Sequence, residues 1–285
     1  MNWITNSVLP KIKAWVKSDS SSKNLWIKCP SCEQMLFEKD FKETFYCCTT
    51  CEYHSFMPPM ERFNLYYGID NFEILQTRTQ IDDPLKFKDS KKYPDRLKAA
   101  RLKTKNDDAI LIAYGKIGNI KLISVALNFQ FMGGSMGRAV GDGIILAVDE
   151  AIKRNASLLV IPSSGGARMQ EGIFSLMQLP RTIIAIEKIK TAKLPYIVLL
   201  TNPTMGGVTA SFSMLGDIHI AEPNALIGFA GRRVIEETVR EKLPENFQKA
   251  EYLRDHGMVD MVVPRSEQRE TIINILSILT KNIEK

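Results

Sequence analysis

Two apolar runs in the sequence each empty into a pair of glycines. Leu158-Leu159-Val160-Ile161 leads to Ser163-Ser164-Gly165-Gly166-Ala167-Arg168, and Tyr196-Ile197-Val198-Leu199-Leu200 leads to Thr204-Met205-Gly206-Gly207-Val208. Glycine admits a ligand to the backbone without a Cβ in the way. The start of a helix leaves N–H groups unpaired and pointing outward. Two such turns, each opening a helix, would aim main-chain donors at an oxygen that turns negative during a reaction. Gly165, Gly166, Gly206 and Gly207 are the candidate donors.

The second chemical cluster is metallic. Cys29-Pro30-Ser31-Cys32 and Cys48-Thr49-Thr50-Cys51 are two C-x-x-C knuckles at zinc-ribbon spacing. Four thiolates so spaced close a tetrahedral Zn2+ site. With no open position for a substrate water, that zinc is structural. Nothing indicates the oxidising compartment that disulfides would need. Cys47 reads as a spare thiol, and His54 as a residue the four cysteines make unnecessary as a ligand.

Other side chains are less pointed. Arg168 either contacts a phosphate or organises the turn it follows, and Arg232 and Arg233 divide the same way. His219 lies in an apolar run and reads as structural. Serines 163, 164, 211 and 213 invite a hydrolase, but no residue is nominated as their general base. There is no G-x-x-x-x-G-K-[ST] phosphate loop. The run Lys86–Lys105 carries nine cations against Asp89 and Asp95. It reads as a solvated helix face, with a phosphate-binding face as the alternative.

The elements that must position these groups follow from pattern. The chain has 285 residues, 45% hydrophobic and 25% charged, with a net charge of +6. That suits a globular protein with one large domain, and its mild basicity does not demand nucleic acid. No apolar stretch approaches a membrane span, and no secretory signal is evident. Residues 1–24 read as a short amphipathic helix and a serine-rich linker, 25–56 as the ribbon, and 57–107 as a helical, basic connecting segment. From 108 to 285, apolar strands (Ala109–Tyr114, Lys121–Leu127, Leu158–Ile161, Tyr196–Leu200) alternate with helices near Gly137–Arg154 and Phe174–Thr191. A last amphipathic helix follows from Ser266. The expected class is α/β with buried strands.

Phe131-Met132-Gly133-Gly134-Ser135-Met136-Gly137, Ser163–Gly172 and Gly206-Gly207-Val208-Thr209-Ala210-Ser211-Phe212, followed by Asp217–Phe229, resemble the carboxyltransferases of the crotonase superfamily. With the four-cysteine ribbon in front, the chain is similar to the β subunits of bacterial acetyl-CoA carboxylase carboxyltransferase over nearly its whole length. The ribbon departs from that pattern in carrying Glu33 where glycine is expected and Cys47 before the second knuckle. The resemblance implies a crotonase-like (ββα superhelix) core. It implies transfer of carboxyl from carboxybiotin, borne on a separate biotin carboxyl carrier protein, to acetyl-CoA, giving malonyl-CoA. It implies an α2β2 heterotetramer with a carboxyltransferase α subunit, a cytoplasmic setting, and ATP consumption by a separate biotin carboxylase. Gly133, Gly134, Gly137 and Arg168 would then be substrate-binding, the glycines lining a CoA channel or else simply allowing a tight bend before the helix, and Arg168 meeting a CoA phosphate. Two other readings remain: another crotonase-type reaction such as enoyl-CoA hydration, with Glu171 as its acid, and a zinc-ribbon nucleic-acid binder using Lys86–Lys105.

Overall fold

A computed structural model describes residues 25–77 and 83–280, so the helix and linker expected over 1–24 lie outside the described residues. The chain divides into two compact units, one ending at Ser55 and the other beginning at Phe56.

In the first unit β1 (Trp26–Lys28) pairs antiparallel with β2 (Met35–Phe37), and α1 (Glu38–Glu43) follows. Each cysteine knuckle is a tight turn. The Glu33 amide donates to the Cys29 carbonyl at 3.0 Å, and the Glu52 amide to that of Cys48 at 2.9 Å. Glu33 takes φ +62°, the conformation for which glycine was expected there. Among the described residues, its buried apolar cluster is Cys29, Leu36, Phe41 and Cys48. So small a core calls for a metal staple.

The second unit is built on a seven-stranded sheet. In chain order its elements are α2 (Pro59–Tyr67), β3 (Phe72–Ile74), α3 (Tyr93–Thr104), β4 (Ile110–Ile117), β5 (Ile120–Leu127), α4 (Arg138–Arg154), β6 (Ser157–Ile161), α5 (Gly172–Leu176), α6 (Gln178–Thr191), β7 (Tyr196–Leu200), β8 (Thr204–Met205), β9 (Ile218–Ala221), β10 (Ile227–Gly228), α7 (Arg232–Val239), α8 (Ala250–Asp255), β11 (Met261–Val262) and α9 (Arg265–Thr280). The sheet order is β11-β9-β7-β6-β5-β4-β3. β3, β4 and β5 are antiparallel, and β5, β6, β7, β9 and β11 run parallel. Every residue of β6 and β7 is buried, as their unbroken apolar runs require. Ile144, Ala147 and Val148 of α4 and Ala185, Ile186 and Ile189 of α6 cover one face. Phe63 and Tyr66 of α2 and Ile272 and Leu276 of α9 cover the other.

Three local readings change. Residues 57–107 are not a connector: α2 packs on the sheet, β3 extends its edge, and Tyr93, Leu97 and Ala100 of α3 enter the main core. The boundary expected at 108 therefore does not separate two packing units. Neither diglycine turn opens an α-helix directly. The first leads into a 3-10 turn, Met169–Glu171, before α5, and the second into turns and a 3-10 turn, Phe212–Met214. In the second case Thr209 and Ser211 hydroxyls donate to the Gly206 and Gly207 carbonyls, an alternative to the helical ladder.

Just beyond β9, the buried Glu222 carboxylate accepts from Arg62 at 2.9 Å and from Arg265 at 2.7 and 2.8 Å. Helices from both ends of the unit thus close on one residue.

Candidate active site and metal centre

Adjacent parallel strands β6 and β7 end side by side, so the segments that follow them are neighbours. That is where ligands bind in open α/β sheets. Beyond those ends, short stretches from four loops lie edge to edge. The Gly165 amide donates to the Gly133 carbonyl at 2.9 Å, the Met136 amide to that of Gly166 at 2.8 Å, and the Arg168 amide to that of Met136 at 2.9 Å. The Ser164 amide reaches the Pro203 carbonyl at 2.8 Å, and the Gly206 amide reaches those of Gly228 and Phe229 at 3.1 and 3.0 Å.

The two diglycine bends meet within this ladder, but most of their amides are spent on it. Gly165 and Gly206 donate as above, and Gly166 donates to the Ser164 hydroxyl at 3.0 Å. The expectation that all four glycine amides face a ligand is therefore corrected: three hold the bends together. Among the described residues, the amides of Ala167 and Gly207 donate to no acceptor in the chain. Their aim is fixed by the carbonyl across each planar peptide, since C=O and N–H of a trans peptide point opposite ways. The Gly166 carbonyl is held by Met136, so the Ala167 N–H points away from that segment. A Cβ on Gly207 would lie 3.6 Å from the Ala167 Cβ, so the two unpaired amides belong to neighbouring residues. The sequence signal for Ala167 was only its place after the first glycine pair.

A cleft of about 860 Å³ opens beside the first bend. Gly133, Ser135, Gly165, Ala167 and Met169 line one side and Lys91, Asp95, Arg96 and Ala99 another. The basic run is thus partly a cleft wall. Arg96 is held by Asp89 at 2.7 and 2.8 Å, whereas the Lys91 ammonium pairs with no carboxylate among the described residues.

Of the expected substrate-binding residues, only Gly133 lines that cleft, and nothing lies within 4 Å of where its Cβ would stand. Gly134 and Gly137 are buried, and their Cβ atoms would strike the Ser163 carbonyl and the Glu171 carboxylate. They permit close packing rather than ligand approach. Arg168 is corrected likewise. Its guanidinium is fully buried and gives its donors to both Asp108 oxygens at 2.6 and 2.9 Å, the Ser135 hydroxyl and carbonyl at 3.1 and 2.9 Å, and the Tyr93 hydroxyl at 3.1 Å. Burial works against its charge, but Asp108 and Tyr93 hold it protonated. No N–H remains for a phosphate.

Glu171 is equally committed. It accepts from the Tyr93 hydroxyl at 2.7 Å and from the Arg138 amide at 2.7 Å, at the positive end of α4. His219 is neutral in character: burial lowers its pKa, and its Nε2 accepts from the Gly216 amide at 3.2 Å.

In the ribbon, the sulfurs of Cys29, Cys32, Cys48 and Cys51 all lie within 4.8 Å of one another, with the Cys29–Cys51 and Cys32–Cys48 pairs at 3.7 Å. A tetrahedron with Zn–S near 2.3 Å has edges of about 3.8 Å, so this donor set fits structural Zn2+. Bound there, the ion would hold the two knuckles together. Cys47 and His54 are outside the cluster, paired across a β-bridge.

Comparison with known proteins agrees with both units. Residues 85–285 match the carboxyl transferase domain family, and residues 26–51 match the acetyl-CoA carboxylase zinc finger domain family. The chain is 53% identical over 281 residues to the acetyl-coenzyme A carboxylase carboxyl transferase subunit beta of Rhizobium leguminosarum bv. trifolii (strain WSM1325), covering 99% of this chain and 93% of that one. Among solved structures, it is similar to transcarboxylase 12S with hydrolyzed methylmalonyl-coenzyme A bound, with a TM-score of 0.63 at 22% identity over 77% of this chain and 40% of that one. It also resembles a Pseudomonas malonate decarboxylase hetero-dimer, with a TM-score of 0.60 at 19% identity over 78% of this chain and 86% of that one. At such identities the likeness is one of fold, here crotonase-like. The relative, alike from the ribbon to the last helix, settles the rest: the chain belongs to the family of acetyl-CoA carboxylase carboxyl transferase β subunits.

Proposed function

We propose that this chain is the β half of a carboxyltransferase that moves a carboxyl group from carboxybiotin, borne on a carrier protein, to acetyl-CoA, forming malonyl-CoA for fatty acid biosynthesis. The observation that carries this reading is the meeting of the two bends, which leaves unpaired amides on two neighbouring residues, Ala167 and Gly207. Removing a methyl proton from a thioester creates an enolate oxygen. Loss of carboxyl from carboxybiotin leaves negative charge on the ureido oxygen, and that anion can itself take the methyl proton. Both oxygens need fixed donors in a dry site, and neither step needs a side-chain nucleophile. Ala167 and Gly207 supply such donors for one of the two, each worth about 2.7–4 kcal/mol in the transition state.

Gly133 and the cleft beside it take the CoA, with the Lys91 ammonium facing its phosphates. The donors for the other oxyanion come from a carboxyltransferase α subunit in an α2β2 assembly. Met169, Ile173, Leu176, Met177 and Ile184 support that placement: each is more than half exposed, and together they follow the first bend. Biotin carboxylase recharges the carrier. The setting is cytoplasmic, where thiolate zinc ligands stay reduced. Among the described residues no helix is long and apolar enough to cross a membrane. Enoyl-CoA hydration is disfavoured because Glu171, its best acid, is already engaged.

The test is co-expression with an α subunit and assay of carboxyl transfer from malonyl-CoA to free biotin. Turnover in the native complex, abolished in an intact Gly207→Val complex, is the expected result. Hydration of crotonyl-CoA without carboxyl transfer would overturn the reaction. Full turnover in the variant would overturn the donor assignment.

A further inference from the structure

We propose that Thr209 is a positioning residue for the second bend, acting through the Gly206–Gly207 peptide. Thr209 is buried, and its hydroxyl donates to the Gly206 carbonyl at 2.7 Å while lying 2.9 Å from the Gly228 carbonyl. The Gly206 carbonyl is the far end of the peptide that carries the Gly207 N–H. Peptide planarity means that fixing this oxygen fixes the direction of that N–H. A donor on the oxygen also polarises the peptide and strengthens the N–H as a donor.

Gly206, at φ +64°, has no side chain to resist rotation of this peptide, so the restraint must come from outside. The Ala210 amide reaches the same carbonyl at 3.1 Å, a longer bond than that of the hydroxyl. The bend is tied to β10 by its own backbone, the Gly206 amide donating to the Gly228 carbonyl at 3.1 Å, which leaves the single hydroxyl proton for the Gly206 carbonyl. The first bend is held differently: the Gly166 carbonyl is clamped by the Met136 backbone at 2.8 Å. A hydroxyl also stands by the first bend, that of Ser164 at 3.5 Å from the Gly166 carbonyl, but there the backbone amide makes the shorter bond, whereas at the second bend the Thr209 hydroxyl does.

The inference rests on Gly207 being an oxyanion donor, and the experiment separates the two. Thr209→Val, Thr209→Ser and Gly207→Pro are made in the full chain, assembled with an α subunit, and assayed for carboxyl transfer from malonyl-CoA to free biotin. Loss of a whole donor costs about a hundredfold or more in kcat. A mis-aimed donor in Thr209→Val should cost about tenfold, with KM within about twofold of the native value, and Thr209→Ser should recover most of it. Packing survives in the valine variant because both carbonyls keep an amide donor. Should valine fail to assemble, Thr209→Ala carries the same expectation. A native kcat in the valine variant, a serine variant as slow as valine, or a loss confined to KM overturns the role of Thr209. Native turnover in Gly207→Pro overturns the oxyanion reading itself.

Discussion

Gly166 and Gly206 meet backbone to backbone. A Cβ on Gly206 would stand 3.0 Å from the Gly166 Cα, and one on Gly166 would stand 3.2 Å from the Gly206 Cα. Both have positive φ, +64° and +114°. The contact lets two loops from neighbouring strands share one small space. Gly206→Ala should therefore cost about 2 kcal/mol or more and most of the turnover. Gly165→Ala, whose nearest neighbour would be 3.7 Å away, should stay within about 0.5 kcal/mol of native. Thermal melts of the two variants, side by side, decide this.

Arg168 ties the bend to Asp108 and Tyr93 with a buried fork. Replacing it with methionine leaves Asp108 without its buried cation, while Glu171 keeps Arg138 at 3.3 Å, and should destabilise by about 3–5 kcal/mol. Lysine should recover only part of this, since it cannot bridge both Asp108 oxygens. Urea denaturation of the three proteins gives the ranking.

Glu222 sets an acid limb of stability. Burial alone would raise its carboxyl, but Arg62 and Arg265 outweigh burial and hold it far below the usual carboxylate range. A carboxyl depressed on folding contributes stability above its unfolded pKa of about 4.3, and that contribution is lost as pH falls below it. Glu222→Gln should be less stable at neutral pH and lose less stability between about pH 4 and 2 than the native chain. A parallel acid limb in both proteins would remove Glu222 as its source.

Lys91 lines the cleft and pairs with no carboxylate among the described residues. Lys91→Glu should raise KM for acetyl-CoA about fivefold or more and leave kcat near native, the mark of a ground-state contact. Steady-state kinetics at two salt concentrations check it, because the native KM should rise with salt.

Cys48→Ser should purify without stoichiometric zinc, whereas Cys47→Ser should keep it, because only the former sulfur lies in the four-thiol cluster. Metal analysis of the purified variants is the measurement.

Much of this was legible in the sequence, for physical reasons. The four cysteines carry their own geometry in their spacing. The runs at Leu158 and Tyr196 announce fully buried strands because each is apolar at every position. β3 was missed: three residues inside a charged, helix-leaning stretch gain their strand character only from pairing with β4. The glycine pairs stand out in the sequence, but which of their amides stays unpaired does not. That depends on acceptors such as Gly133 and Gly228, supplied by other loops. The partners of Arg168 lie 60 and 75 residues away at Asp108 and Tyr93, beyond the reach of local pattern.

Glu222 is 160 residues from Arg62 and 43 from Arg265. An intermediate that had formed the sheet but docked only one of α2 and α9 would enclose this carboxylate with half its compensation. Such a species is penalised, so the unit should gain its two flanking helices together, in a single concerted transition. Its refolding should be slow for its size, because the contacts that license closure span most of the polypeptide.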